Sequence, residues 1–165
     1  MLKIIKADIV YLWHRGYTVC VTTNGFVKKD GSAVMGRGNA KAMAEAVPEL
    51  PVRLGSHIKK NGNNVGFIYD RIIAFPVKPV TGKYEQVLDK VKHLYAPGQV
   101  IPGFHCKADL EIIRRSALQL IALVRQNMLK VFLPLPGVGN GELRIDDIKE
   151  VLELLVNNGV ILVRK

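Results

Sequence analysis

The sequence has few cysteines. Cys20 and Cys106 are the only two in 165 residues, and no CxxC motif occurs. Neither a disulfide framework nor a structural zinc site is therefore predicted, and no metal or cofactor is expected. Cys20 lies in an apolar run and is expected in the core. Cys106 follows His105, but neighbouring residues in an extended segment point apart, so a catalytic Cys–His pair is not expected.

Long apolar runs are also missing. No segment approaches the length that crosses a bilayer, and the start, MLKIIKADIVYLWHR, carries charges where a signal peptide needs an apolar core. The sequence therefore predicts a cytoplasmic protein without a membrane partner. Hydrophobic residues still make up 48% of the chain, which argues against disorder and predicts one domain over residues 1–165.

Acidic and aromatic residues are scarce. The chain has 24 Lys and Arg against 14 Asp and Glu, a net charge of +10 that favours anionic partners and makes nucleic acid plausible. Aromatic residues, which stack on bases, are only 7% of the chain. The basic residues form scattered doublets such as Lys28-Lys29, so a basic surface around a small anionic ligand is an equal alternative. No signal indicates an oligomeric state.

The first stretch with a ligand-binding pattern follows a predicted strand at Tyr17 to Thr23. Asn24-Gly25 ends this strand, and a helix is predicted from about Asn39 to Pro48. The connecting loop contains Gly31, Gly36 and Gly38. Glycines let backbone amides approach a ligand, and a helix N-terminus offers free N–H groups with partial positive charge. The pattern indicates a phosphate-binding loop, although a glycine loop without a ligand is the alternative.

A second unit of the same kind lies near the C-terminus. Lys130 to Leu135 reads as a strand, Gly137-Val-Gly139-Asn-Gly141 as a loop, and Asp146 to Leu155 as a helix. Neither loop has the GxGxxG or P-loop spacing. Two such units should place both loops at the carboxyl edge of one sheet, where open α/β folds bind ligands. Together the loops can clasp one ligand.

The rest of the chain alternates strands with helices. Strands are predicted at 2–6, 65–69, 71–77 and 159–163, and an amphipathic helix at 109–125. Residues 54–64 are predicted to form a polar loop in which His57 is solvated. Residues 84–107 form an insert of unclear structure that is expected to shape the pocket, with a short helix possible at 84–94. The predicted fold is a three-layer α/β/α sandwich with a mixed central sheet.

Five motifs occur in the order found in a known family. They are ADI at 7–9, TTNG at 22–25, VMGRGNA at 34–40, FPVK at 75–78 and PGVGNGEL at 136–143. Apart from the insert, the whole chain resembles a macro domain, a family that binds ADP-ribose. The resemblance is closest to the lysine-containing branch, which includes the terminal ADP-ribose glycohydrolases of protein and the DarG antitoxins that remove ADP-ribose from DNA.

The resemblance implies a set of ligand-binding residues. Asp8 would accept a hydrogen bond from the adenine amino group, although a carboxylate here also serves as a turn or cap acceptor. Asn24 would contact the distal ribose, or it is an ordinary turn residue. The implied ligand-binding set is Asp8, Ile9, Thr23, Asn24, Met35, Gly36, Arg37, Gly38, Asn39, Ala40, Pro136, Gly137, Val138, Gly139, Asn140 and Gly141.

The implied catalytic residues are Lys78, Asn24 and Glu142. Lys78 matches the lysine of the branch, where a lowered pKa makes it a nucleophile toward the anomeric carbon; alone, a lysine at a strand end is usually a solvated charge. Gly141 stands where the protein-directed enzymes carry a catalytic aspartate, and Ile145 replaces the usual tryptophan of the antitoxins. Glu142 is either a substitute acid or a carboxylate at a helix start.

Three functions are compatible with these residues. The first is ADP-ribosylglycohydrolase activity on modified nucleic acid or protein, driven by Lys78. The second is ADP-ribose 1''-phosphate phosphatase activity, in which the same loops hold the ligand and an activated water attacks. The third is an ADP-ribose-binding module without catalysis. The leaving group is not predicted, because that end of the ligand faces the insert.

Overall fold

A computed structural model describes residues 2–165 and contains a six-stranded sheet. The strands of residues 2–165, including two outside this sheet, are β1 (Ile4–Lys6), β2 (Thr18–Thr23), β3 (Gly66–Tyr69), β4 (Ile72–Pro76), β5 (Thr81–Gly82), β6 (Ile101–Pro102), β7 (Val131–Pro134) and β8 (Ile161–Arg164). The main sheet has the order β1-β8-β7-β2-β4-β3, and β5 and β6 form a separate hairpin. Within the main sheet β3 is antiparallel to β4 and the other neighbours are parallel, so the sheet is mixed, as predicted.

Helices cover both faces of this sheet. They are α1 (Ile9–His14), α2 (Gly38–Ala46), α3 (Leu50–Asn61), α4 (Leu110–Asn127) and α5 (Ile145–Asn157). Helices α1 to α3 share one buried cluster with Val19 and Val21 of β2. Cys20, between those two valines, points to the opposite face, where α4 and α5 pack. The predicted three-layer α/β/α sandwich is confirmed, and Cys20 is fully buried in the core, as expected.

The register of β2 and β4 fixes the geometry of the functional edge. Thr23 lies opposite Pro76, so both strands end at the same level. The backbone N–H groups of Val77 and Lys78 both donate to the carbonyl of Thr23, at 2.9 and 3.3 Å. Lys78 therefore leaves the sheet directly beside Asn24. On the other side of β2 lies β7, which is parallel to it and leads into the second glycine loop.

The predicted polar loop at residues 54–64 is wrong, because α3 occupies most of it. Leu50, Leu54 and Ile58 recur every four residues and are buried on one face of this helix. His57 is not a solvated loop residue: its side chain is half-buried, with Nε2 2.7 Å from the carbonyl oxygen of Asn64. The intervening Gly55 and polar residues concealed the helical spacing.

Gly55 allows close contact between α3 and the loop before α2. A Cβ atom at Gly55 would lie 1.9 Å from the carbonyl oxygen of Gly31. We therefore expect Gly55→Ala to lower the free energy of unfolding by about 1–3 kcal/mol in urea denaturation, because backbone must move to relieve the clash. As a control, a Cβ at Gly36 would have its nearest neighbour at 3.9 Å, so Gly36→Ala should be nearly neutral. Equal stability of the two variants would contradict this packing.

The insert at 84–107 is a small ordered unit. A 3₁₀ turn at Tyr84–Gln86 and a 3₁₀ helix at Asp89–Leu94 replace the single short helix considered for 84–94. They are separated by Val87, which is extended, and Leu88; both side chains are buried in a cluster of their own. The β5–β6 hairpin and a 3₁₀ turn at Gly103–His105 complete the unit.

Candidate functional site

Two glycine loops meet at the carboxyl edge of β2, β4 and β7. They border a cavity of about 310 Å³, here called the Lys78 cavity. Residues 34–40 of the first loop line one side, and Leu135, Gly137, Val138, Asn140 and Gly141 of the second loop line another. The expectation that both loops flank one crevice is confirmed. Pro136 is buried and does not border the cavity.

A second cavity of about 500 Å³ lies beside the first and is here called the Asp8 cavity. Asp8 and Ile9 border it at the start of α1, and Gly139 borders it from the second loop. Five residues line both cavities: Gly38, Asn39, Leu135, Val138 and Asn140. The two cavities are therefore adjacent; together they are here called the cleft, which extends from Asp8 to Lys78 along the glycine loops.

The first loop presents the N-terminus of α2 to the cleft. Arg37 precedes the helix in an extended conformation, and no side chain caps the first turn. Gly38 has a positive φ of 57°, which suits glycine. Asn39 fastens the loop to the sheet: its side chain accepts from the backbone N–H of Thr22 and donates to the Thr22 hydroxyl, both at 2.9 Å. The uncapped amides can thus serve an anion.

The second loop is closely packed on one side and open on the other. A Cβ at Gly141 would lie 2.5 Å from the carbonyl oxygen of Gly137 and 2.7 Å from the Cβ of Ala108. There is therefore no room at position 141 for an aspartate side chain like the one found there in the glycohydrolases that act on protein. Gly139 has a positive φ of 81° and open space around its Cβ position, so its backbone faces the cleft.

Thr23 and Asn24 line the Lys78 cavity. Asn24 is buried; its Oδ1 accepts from the backbone N–H of Phe26 at 2.9 Å, and its Nδ2 donates to the carbonyl of Val34 at 3.0 Å. The turn role of Asn24 is therefore observed, and one amide hydrogen is left for a ligand. The hydroxyl oxygen of Thr23 is buried without a hydrogen-bond partner among residues 2–165.

Lys78 is buried, with only 9% of its surface exposed. Its Nζ lies 3.5 Å from the carbonyl oxygen of Phe104, and no carboxylate in residues 2–165 forms an ion pair with it. Burial, and next the positive charge of Arg37, lower the pKa of Lys78 to about 8. The alternative of a solvated surface lysine does not apply. The side chain is an amine that is partly neutral near physiological pH.

Glu142 lies outside the cavity lining. Both of its carboxylate oxygens accept from the backbone N–H of Asp89, at 3.0 and 3.3 Å, and this attaches the insert to the second loop. It does not lie at a helix start either, since α5 is preceded by Arg144. A catalytic role for Glu142 stays a prediction that would require it to leave this contact.

Asp8 caps α1. The helix was not predicted from the sequence, whereas a cap role for Asp8 was one of its two interpretations. One carboxylate oxygen, Oδ1, accepts from the backbone N–H of Val10 at 2.8 Å. The other, Oδ2, lies 3.6 Å from the Nζ of Lys165 and remains exposed enough to meet a ligand in the Asp8 cavity. Both interpretations of Asp8 are thus compatible, because the cap uses one oxygen and adenine recognition needs the other.

Two residues of the insert were missed as site residues. Phe104 and His105 border the Lys78 cavity. Phe104 packs edge-on against Phe26, with ring centroids 5.2 Å apart. Cys106 is buried in the insert, with Sγ 3.6 Å from the carbonyl oxygen of Pro102. The expectation that the insert shapes the cavity is confirmed.

Two other kinds of feature are absent from the described residues, 2–165. No group of three or more His, Cys, Asp or Glu side chains is arranged to hold a metal ion. No helix within the same range combines the length and apolar character needed to cross a membrane.

Comparison with known proteins gives matches among solved structures. No family model and no curated protein matches the chain. The macrodomain of Mycobacterium tuberculosis DarG superimposes with a TM-score of 0.62 at 17% identity, over 99% of this chain and 93% of that one. The fold is that of a macrodomain.

Two further structures share the macrodomain fold of this chain. Thermosipho africanus DarTG in complex with ADP-ribose has a TM-score of 0.57 at 14% identity, over 88% of this chain and 37% of that one. A protein of unknown function from Bacteroides thetaiotaomicron has a TM-score of 0.63 at 14% identity, over 98% and 96% of the two chains. At such identities the likeness is one of fold, so function must be argued from the site.

Proposed function

We propose that this protein binds ADP-ribose along the cleft and hydrolyses an ADP-ribosyl linkage at the Lys78 end. The observation that carries the proposal is the adjacency of the two cavities, with a carboxylate at one end and a buried lysine of lowered pKa at the other. The motif resemblance supports the same ligand. So does the similar fold of Thermosipho africanus DarTG, which was solved in complex with ADP-ribose.

Each part of ADP-ribose has a matching part of the cleft. The Asp8 oxygen that does not cap α1, Oδ2, suits the adenine amino group, a hydrogen-bond donor, beside its contact with Lys165. The uncapped N-terminus of α2 and the glycines of the second loop suit the diphosphate. At the other end, the unpartnered hydroxyl of Thr23 and the remaining amide hydrogen of Asn24 suit the hydroxyls of the distal ribose. In the proposed binding mode the anomeric carbon faces Lys78.

The proposed cleavage uses the neutral amine of Lys78. Its Nζ attacks the anomeric carbon and forms a C–N bond while the bond to the leaving group breaks; the leaving group takes the electron pair and then the proton lost by Nζ. Water must next add to the same carbon and release the lysine. With a pKa of about 8, roughly a tenth of Lys78 is neutral at pH 7, which is enough for a nucleophile.

A second candidate function, an ADP-ribose-binding module without catalysis, also has a specific observation in its favour. Gly141 carries no side chain and has no space for one, and Glu142 is held by the backbone of Asp89. No carboxylate in residues 2–165 therefore borders the Lys78 cavity. Under this alternative, binding would be retained and no linkage would be cleaved.

Calorimetric titration with ADP-ribose, ADP and AMP tests the binding part. We expect saturable binding of ADP-ribose at least about tenfold tighter than that of ADP, because ADP lacks the distal ribose that faces Thr23 and Asn24. Cleavage is then tested on ADP-ribosylated DNA, ADP-ribosylated protein and ADP-ribose 1''-phosphate. Phosphate release alone would favour the phosphatase, and binding without cleavage would favour the non-catalytic module. No binding at all would refute the proposed ligand.

A further inference from the structure

The Lys78 cavity contains a histidine that the proposed cleavage has not yet used. Within residues 2–165, the charged or titratable side chains that border this cavity are Arg37, Lys78 and His105. Arginine keeps its proton and Lys78 is consumed as the nucleophile, so neither can activate the water of the second step. His105 is the remaining group, and an imidazole can accept and donate a proton.

The insert holds the imidazole of His105 in a fixed position. Its Nδ1 lies 2.7 Å from the hydroxyl oxygen of Tyr95, and its ring centroid lies 4.7 Å from that of Phe104. The backbone carbonyl of His105 accepts from the N–H of Leu88 at 2.9 Å. Nε2 has no hydrogen-bond partner within residues 2–165. This nitrogen is therefore the one left for proton exchange, on a side chain that borders the Lys78 cavity.

We propose that His105, oriented by Tyr95, is the general base that activates the water releasing ADP-ribose from Lys78. The inference rests on the proposed function and assigns its second step. Tyr95 is a positioning residue, since its hydroxyl can accept the Nδ1 proton and leave Nε2 as an acceptor. When Nε2 becomes protonated, the same hydroxyl continues to accept from Nδ1 and stabilises the imidazolium.

The step balances without another reactant. Before it, the anomeric carbon is bonded to the Nζ of Lys78. Nζ of the adduct first takes up a proton from solvent, so that it can leave as a neutral amine. Nε2 of His105 takes a proton from water while the water oxygen forms a bond to that carbon, and the C–N bond breaks with its electron pair going to Nζ. His105 then gives its proton to solvent, so that both side chains return to their starting states. One water is consumed and one ADP-ribose is released.

The surroundings of His105 favour the neutral form that a base requires. Burial lowers the pKa of His105 below its ordinary value, and the positive charges of Arg37 and Lys78 lower it further. A group with a lowered pKa is deprotonated at neutral pH. The orientation of Phe104 is fixed in turn by Phe26, so the base is supported from both the insert and the strand edge.

His105→Gln in a single-turnover experiment separates the two steps. With enzyme in excess over each of the three ADP-ribosyl substrates named above, we expect the leaving group to depart at nearly the wild-type rate. ADP-ribose release should slow by about 10²- to 10⁴-fold, the usual contribution of a general base. Borohydride reduction should then leave one ADP-ribosyl group on Lys78, seen by mass spectrometry, because an N-linked ribose equilibrates with an open-chain imine.

Matched variants exclude a merely structural effect. His93→Gln changes an exposed histidine in the same insert and should behave as wild type. Tyr95→Phe should slow ADP-ribose release about tenfold, with partial accumulation of the adduct, and it decides the question if His105→Gln does not fold. Added imidazole should restore release in His105→Ala, which a lost packing contact would not permit.

Failure of the proposed function and failure of the His105 proposal give different results. If the wild type releases no leaving group from any of the three substrates, the proposed function fails and the role of His105 fails with it. If the wild type cleaves and His105→Gln releases ADP-ribose within threefold of the wild-type rate, only the His105 proposal is overturned. Loss of both steps in a variant that still binds ADP-ribose also overturns it, since His105 would then act before the adduct forms.

Discussion

Lys78→Ala is expected to reduce cleavage of the ADP-ribosyl linkage by at least about a thousandfold while changing ADP-ribose affinity by less than about threefold. The amine is the nucleophile of the proposed first step, so its removal leaves no group that forms the C–N bond. The proposed binding contacts at Asp8, Thr23 and the glycine loops do not involve Nζ, whose observed protein contact is the carbonyl of Phe104.

The pH dependence of wild-type cleavage follows from the same lysine. The folded-state pKa of Lys78 is about 8, and the neutral amine is the reactive form. The rate of the first step should therefore rise about tenfold per pH unit below pH 8 and level off above it. Lys78→Arg keeps a positive charge at every accessible pH, so it should remain inactive throughout the profile.

Single-turnover rates across pH 6 to 10, with calorimetric binding in parallel, check this prediction. Lys29→Ala, which removes an exposed lysine in the turn before α2, is the matched control and should cleave as wild type. Undiminished turnover by Lys78→Ala would exclude the lysine mechanism. An equal loss of binding and cleavage would instead make Lys78 a ligand contact without a chemical role.

The two glycine loops illustrate what could be predicted from sequence. Each follows an apolar strand and precedes a helix, and the parallel pairing of β2 with β7 brings both to one edge. That placement follows from alternation of elements alone, since parallel strands end together. The burial of Lys78 did not follow in this way. It depends on Phe104, which is 26 residues away and covers the amine only after the insert has folded.

The elements that were missed share a physical cause. Helix α3 carries Gly55 at its centre, and the glycine is explained by a contact with the backbone of Gly31 that no local pattern reveals. Helix α1 has only six residues and depends on the Asp8 cap. Glu142 was considered as an acid from its position beside Gly141, whereas its carboxylate binds the backbone of Asp89. In each case a tertiary contact decides the role of the residue.

Gly36→Val is expected to weaken ADP-ribose binding by at least about thirtyfold without a measurable loss of stability. Gly36 lines the Lys78 cavity just before the N-terminus of α2. Its φ lies outside the left-handed region, and its Cβ position meets nothing closer than 3.9 Å. A valine therefore fits the fold, but its methyl groups project into the space where the diphosphate would approach the backbone.

The comparison with other glycines makes this variant informative. Gly139 also borders the cleft, but its φ is 81°, so a valine there would strain the backbone. A loss of affinity in that variant could then not be separated from a loss of stability. Gly36→Ala adds a single methyl group and should cause a smaller loss, giving a graded series. Calorimetry with ADP-ribose measures the affinity, and thermal unfolding without ligand measures the stability. Wild-type affinity in Gly36→Val would show that the ligand does not approach the first loop.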